Sequence, residues 1–101
     1  PEDGVIDYVL RSEGDTECNL IMPAGGSVNP SSHETVDNKQ HYLYQEGKAV
    51  FKKATESMAD ISVEIMQRNN LYAEDVAWLV PHQANKRIIE ATARRMNVDM
   101  S

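Results

Sequence analysis

The sequence predicts an α/β fold in which a short β ribbon precedes a helix, a strand and a second helix. Residues 4–10 and 20–22 are short runs of β-branched, aromatic and aliphatic side chains, which is typical of strands. Residues 47–69 repeat apolar side chains every three or four positions, as an amphipathic helix does. Residues 77–80 form an apolar run that ends at a proline, and a second helical pattern follows.

The β-rich start covers residues 1–22. The run over residues 4–10 is followed by a turn signal at Gly14 and Asp15, before the run over residues 20–22 begins. Two such runs on either side of a turn signal are expected to pair as a hairpin or as an edge ribbon.

Residues 23–46 are expected to form a loop or a linker. They are rich in glycine, proline, asparagine and serine, and few large apolar residues occur before Tyr42. So long a loop is unusual in a compact domain and is often functional. His33 and His41 lie there without a third ligand at metal-binding spacing, so no metal site is expected.

Residues 47–101 carry the strongest secondary-structure signal. The amphipathic pattern over residues 47–69 predicts a helix of about six turns. A single helical turn at 73–76, the strand 77–80, a Pro-His turn and a helix over 85–96 are expected to follow. The apolar residues expected to face a core are Val50, Phe51, Ala54, Met58, Ile61 and Ile65 in the first helix and Ile88, Ile89, Thr92 and Met96 in the last.

The formal net charge of −6 argues against a nucleic-acid-binding protein. The charge is uneven, because residues 85–97 carry a local +3 and the remainder carries −9. A basic helix on an acidic body indicates either an anionic partner at one face or an ordinary solvated helix face. The charged residues of this segment are Lys86, Arg87, Glu90, Arg94 and Arg95.

The remaining composition bears on the compartment and on the extent of the chain. Cys18 is the only cysteine, so no intrachain disulfide is possible, which fits a reducing compartment. No run of 18 apolar residues occurs, so no membrane-spanning helix is expected. The chain has no initiator methionine, and no returning strand follows its last helical pattern, so a piece of a larger protein is expected.

The turn at His82 is the position where chemistry is expected. In open α/β sheets, ligands bind outside the carboxyl ends of the strands. A histidine just before a helix feels the positive end of the helix dipole, which favours the neutral imidazole. Such a ring can donate a hydrogen bond to a developing oxyanion, and the Gln83 and Asn85 amides and first-turn backbone N–H groups could add donors. A capping turn whose histidine only bonds the backbone is the alternative.

The residues around this turn resemble a known family. Residues 78–85, which read WLVPHQAN, together with 87–93, resemble nearly residue for residue the histidine motif of β-ketoacyl-acyl-carrier-protein synthase III. Residues 47–52 resemble the start of that family's preceding helix, and residues 4–14 are similar to the last strand of its first half. The likeness covers most of the chain except 23–46.

The resemblance implies an incomplete piece of a thiolase-like fold, a layered α/β fold with a mixed sheet that usually forms a homodimer. Residues 1–22 would be the last strands of the N-terminal half, 23–46 a linker, and 47–101 the start of the C-terminal half. The family starts type II fatty-acid synthesis in the cytoplasm. It condenses acyl-CoA with malonyl-acyl carrier protein by decarboxylation, with a CoA thioester as substrate and no other cofactor.

The resemblance also implies roles for individual residues. His82 matches the catalytic histidine, which with an asparagine stabilises a thioester enolate. Cys18 does not match the family's cysteine nucleophile, and that asparagine has no match in this chain, so the isolated chain is expected to be inactive. The positions that match CoA and pantetheine contacts are Gly47, Phe51, Ala84 and Asn85. Those that match carrier-protein contacts are Lys52, Arg87, Arg94 and Arg95.

Some alternatives remain open from the sequence. Phe51 also falls on the apolar stripe of its helix, where it could simply pack in the core, and Lys48 replaces an asparagine common in the family. A related thiolase-fold synthase that uses a CoA-linked extender is one alternative function. A non-catalytic module that binds an acidic carrier protein is the other.

Overall fold

The computed structural model describes residues 4–100. They divide into two compact units, one of residues 4–12 and 51–100 and one of residues 13–50. Residues 1–3 and 101, at the ends of the predicted first and last parts, lie outside the described residues. The elements are β1 (Leu20–Ile21), α1 (His33–Asp37), β2 (Tyr44–Gln45), α2 (Gly47–Arg68), a 3-10 turn (Ala73–Asp75) and α3 (Lys86–Met96).

The β ribbon of the second unit differs from the predicted one. β1 pairs antiparallel with β2, with Leu20 opposite Gln45 and Ile21 opposite Tyr44. The predicted pairing of residues 4–10 with residues 20–22 is wrong. Residues 4–10 belong to the other unit and form no strand.

The predicted loop over residues 23–46 contains both β2 and α1. The start of α1 is fixed by a reciprocal cap, in which Ser32 Oγ accepts the Thr35 N–H at 3.1 Å and Thr35 Oγ1 accepts the Ser32 N–H at 2.9 Å. A threonine fills the place that glutamate or glutamine takes in the usual capping box, so the sequence signal was easy to miss.

α2 confirms the predicted long helix. Glu46 Oε2 accepts the Ala49 N–H at 2.6 Å at its start. At its end Asn70 is left-handed, with φ 52°, and the Leu71 N–H donates to the Met66 carbonyl at 2.9 Å. The apolar stripe predicted to be core is only half-buried, and the buried residues of α2 are Ala59 and Met66.

α3 confirms the last predicted helix and supplies half of the buried residues within 4–100. Ile88, Thr92 and Met96 are buried as predicted, and Ile89 is half-buried. The hydroxyl of Thr92, which is fully buried, donates to the Ile88 carbonyl at 3.0 Å. The predicted helical turn after α2 is present as the 3-10 turn Ala73–Asp75.

The predicted strand at residues 77–80 is not formed. Strand backbone groups need a neighbouring strand to bond with, and within residues 4–100 none pairs with this segment. Trp78 is 87% exposed and Val80 84%, whereas Leu79 between them is half-buried. The segment therefore buries one of its side chains in part and leaves the neighbouring two in solvent.

Residues 4–12 are tied to the C-terminal end of α2. The Asp7 carboxylate accepts from the Asn69 amide at 2.9 Å and pairs with Arg68 at 3.0 Å, and Arg11 pairs with Glu64. The hydrogen bond from Asn69 lowers the pKa of Asp7, desolvation opposes this, and the Tyr8 N–H and the Arg68 charge add to the lowering.

Candidate functional site at the histidine turn

The histidine turn lies immediately before α3. His82 and Ala84 are both exposed, and Gln83 and Ala84 form a turn that leads into the helix. Within residues 4–100 no hydrogen bond or ion pair of the His82 ring is found. The ring thus faces solvent, and this turn is the structure that can present an imidazole to a ligand.

Asn85 ends the turn by capping α3. Its Oδ1 accepts the Arg87 N–H at 2.9 Å, and its backbone carbonyl accepts the N–H groups of Ile88 and Ile89 at 3.1 and 3.3 Å. These bonds occupy backbone N–H groups that the sequence suggested as ligand donors. The side-chain NH₂ of Asn85 takes no part in these bonds and is left to donate to a ligand.

Two contacts show the direction of α3 relative to α2. The Arg87 guanidinium lies 5.4 Å from the centre of the Phe51 ring, near the start of both helices. Arg95, about two turns further along α3, donates to the Asp60 carboxylate at 2.6 Å. Both contacts follow the same order along the chain, so the two helices run in the same direction. The histidine turn, which immediately precedes α3, therefore lies at the same end of this helix pair as Phe51.

The structure brings together some of the predicted site residues. Phe51, matched to the CoA and pantetheine positions, is half-buried against Arg87, matched to a carrier-protein contact. An arginine over an aromatic face is attracted by the ring quadrupole, so the Phe51 ring contacts a charged side chain as well. Gly47 is exposed at the first residue of α2 and belongs to the second unit.

The predicted basic residues all lie on the surface but differ in their partners. Lys52, Arg87, Arg94 and Arg95 are exposed. Arg95 is paired with Asp60, and Lys86 approaches Glu90 at 3.7 Å on the same helix. For Lys52 and Arg94 no ion pair is found within the described residues. The partners on α2 could not be read from the sequence, because its pattern does not give the angle between two helices.

A groove of about 420 Å³, with both polar and apolar atoms in its lining, lies beside the segment that leads into the turn. The extended residues 77–79 form one wall, and Ile89 and Ala93 of α3 form the floor. Val98 and Met100, just after α3, line the far side.

The cysteine, the loop histidine, metal binding and membrane spanning were also considered from the sequence. Cys18 is an exposed free thiol in a left-handed turn conformation, with φ 55°. His41 bonds Thr35 Oγ1 through Nε2 at 2.9 Å. Among the described residues no group of three metal-ligating side chains is found. None of the helices in residues 4–100 is long and apolar enough to span a bilayer.

The backbone arrangement is that of a thiolase-like α/β protein. A crystal structure of a 3-oxoacyl-(acyl-carrier-protein) synthase III superposes with a TM-score of 0.77 over 98% of this chain and 33% of that chain. The sequence identity of that match is 21%, so it supports the fold alone. This confirms the predicted fold class, an α/β piece of a thiolase-like fold with a short ribbon, although the strand predicted between the two helices is not formed.

The sequence comparisons point to the same kind of protein. Residues 66–101 match the model of the 3-oxoacyl-[acyl-carrier-protein] synthase III C-terminal domain. The chain is 59% identical over 97 residues to the β-ketoacyl-[acyl-carrier-protein] synthase III of Chlorobium phaeobacteroides, covering 95% of this chain and 30% of the relative. For that of Porphyromonas gingivalis the identity is 60%, over 96% of this chain and 29% of the relative.

The resemblance drawn from the histidine motif is therefore confirmed. The chain is similar to β-ketoacyl-[acyl-carrier-protein] synthase III over nearly all of its length, and it spans about three tenths of the length of the curated relatives it matches. The matched C-terminal model includes the histidine turn and α3.

Proposed function

We propose that the full-length protein is an acyltransferase that initiates type II fatty-acid synthesis. It condenses an acyl-CoA such as acetyl-CoA with malonyl-acyl carrier protein and releases carbon dioxide. The observation that carries the proposal is the histidine turn, which lies inside the region matched by the synthase III C-terminal model. High identity to relatives named as synthase III supports the same reaction.

His82 is proposed to stabilise the enolate formed on decarboxylation. Loss of carbon dioxide from a malonyl thioester leaves negative charge on the thioester oxygen. An imidazole N–H directed at that oxygen stabilises the charge, as oxyanion-hole donors do. The exposed ring of His82, with no bond to the described residues, has its N–H available for this contact. The cysteine nucleophile and the partner asparagine would come from other parts of the full-length protein.

The substrates are proposed to approach along the end of the unit where α3 begins. Ala84, the Asn85 amide and Phe51 would contact the pantetheine arm, and Gly47 is proposed as a further contact from its match to the family. The acidic carrier protein would dock on the basic residues Lys52, Arg87, Arg94 and Arg95. Their exposure and the local positive charge of α3 support docking by electrostatic complementarity.

The proposal extends to the setting of the enzyme. It is expected to work as a homodimer in the cytoplasm, with CoA thioesters as substrates and no further cofactor. The isolated chain is expected to show no turnover, because a catalytic constellation acts as a unit and only one of its members is present here.

The test is His82→Ala in the full-length protein, with malonyl-carrier-protein decarboxylation as the readout. Removal of one enolate donor is expected to lower the rate about 100-fold or more. His33→Ala, which removes an exposed histidine of α1, is the matched control and is expected to leave the rate unchanged. A near-wild-type rate for His82→Ala would reject the role of this residue. Equal activity with malonyl-CoA would favour the synthase that uses a CoA-linked extender.

A further inference from the structure

The arginines of α3 differ in what they contact. Arg87 lies over the Phe51 ring, and for Arg94 no ion pair is found within the part of the chain described. Arg95 reaches across to α2, where its Nη2 lies 2.6 Å from Asp60 Oδ1. The positive charges matched to carrier-protein contacts are therefore not equivalent, since one of them is already neutralised.

We propose that Asp60 weakens docking of the acidic carrier protein by neutralising Arg95. This inference rests on the proposed function, because it concerns the same docking surface. It assigns a role to a residue of α2 that neither the histidine motif nor the basic pattern of α3 includes.

The exposure of the pair explains how Asp60 acts. The side chains of Arg95 and Asp60 are 55% and 59% exposed, so an approaching protein meets both charges together. A carrier carboxylate that contacts Arg95 must share the guanidinium with Asp60 or displace it. In either case it comes close to the negative charge of Asp60, and like charges at an interface oppose binding. An exposed pair is weak, so Asp60 reduces docking without preventing it.

The surroundings of Asp60 on α2 provide a control. Glu56 and Glu64 lie one turn before and one turn after it on the same helix. Glu64 is occupied by Arg11. Glu56 is exposed, and no ion pair of it is found within residues 4–100. Glu56→Gln therefore removes the same charge from the same helix without freeing an arginine of α3.

The experiment measures the affinity of the full-length protein for acyl carrier protein at low and high salt. Asp60→Asn is expected to tighten binding about threefold to tenfold at low salt. The gain is expected to vanish at about 1 M salt, because a Debye length of about 3 Å screens exposed charges. The KM for malonyl-carrier protein falls with it, and the KM for acyl-CoA stays the same.

A double-mutant cycle separates this role from a structural one. Arg95→Ala is expected to weaken binding more in the Asp60→Asn background than in the wild type, because only there is the charge unpaired. Glu56→Gln is expected to give a smaller gain. Unchanged or weaker binding by Asp60→Asn, or an equal gain from Glu56→Gln, overturns the inference alone. If the wild type binds no carrier protein, the proposed docking function fails as well.

Discussion

α3 and residues 77–80 lie next to each other in the chain, and both were predicted as regular structure, yet only α3 forms. Its ends are closed by nearby residues, since Asn85 caps the start and the Val98 N–H bonds the Ala93 carbonyl at 3.0 Å after the end. Residues 77–80 need a neighbouring strand for their backbone groups, and none pairs with them in the described chain. A helix is completed by local sequence, whereas a strand is completed by a partner.

Burial follows the same division. Ile88 is 5% exposed, while Trp78 on the segment before the turn is 87% exposed. The resemblance to synthase III is strongest in residues 78–85, and residues 78–80 of that run form no helix or strand. The features that identify a family and those that hold this chain together are thus different, and stability measurements can separate them.

The largest expected effect tests this division directly. In the 101-residue chain, Ile88→Ala is expected to lower the free energy of unfolding by about 2–4 kcal/mol, because it opens a cavity under α3. Trp78→Ala is expected to change it by less than about 0.5 kcal/mol, because an exposed side chain loses little packing. Urea unfolding followed by circular dichroism measures both. Comparable losses from the two variants would show that the segment 77–80 is packed as firmly as α3.

A smaller effect concerns the cap at the junction of the two regions. Asn85→Ala is expected to cost about 1 kcal/mol, because the Arg87 N–H loses its side-chain acceptor. Asn85→Asp keeps a carboxylate oxygen in that place and is expected to restore most of the stability. The same unfolding experiment applies. Equal losses for the alanine and aspartate variants would mean that Asn85 does not act through capping.

The smallest expected effect concerns residues 4–10, which were also predicted as a strand and are held by α2 instead. The Asn69 hydrogen bond lowers the pKa of Asp7 in the folded chain from its ordinary value of 3.8. The contribution of the Asp7 carboxylate to stability is therefore fully present above that pH. It is lost as the pH falls through the lowered pKa. Asp7→Asn is therefore expected to be less stable than the wild type at neutral pH, and the difference should shrink toward pH 3 in an unfolding series. A difference that persists there would contradict this.

The sequence predicted the parts of the fold that depend on periodicity. α2 and α3 were placed within one or two residues, and the buried Ile88, Thr92 and Met96 were named in advance. The ribbon was mispaired because two short runs carry no register information, and β2 was hidden in a stretch that reads as loop. Strand pairing depends on residues far apart in sequence, and periodicity does not report them.

The candidate site divides in a similar way. The histidine turn and its capping asparagine were visible in the sequence, since a proline and a cap residue have local signatures. The contacts of Phe51 with Arg87 and of Asp60 with Arg95 were not, because they depend on how α2 and α3 lie against each other. The roles of the site residues in catalysis and docking stay predictions for the experiments above.

The side chain at position 82 can be changed without removing a contact that holds the turn in place. The turn leads directly into α3, which is held in the core by the buried Ile88 and Thr92. Within residues 4–100 the imidazole adds no bond of its own to this frame. A substitution at position 82 would therefore change the chemistry offered to a ligand and leave the surrounding structure in place. A scaffold with such a position can acquire new reactions.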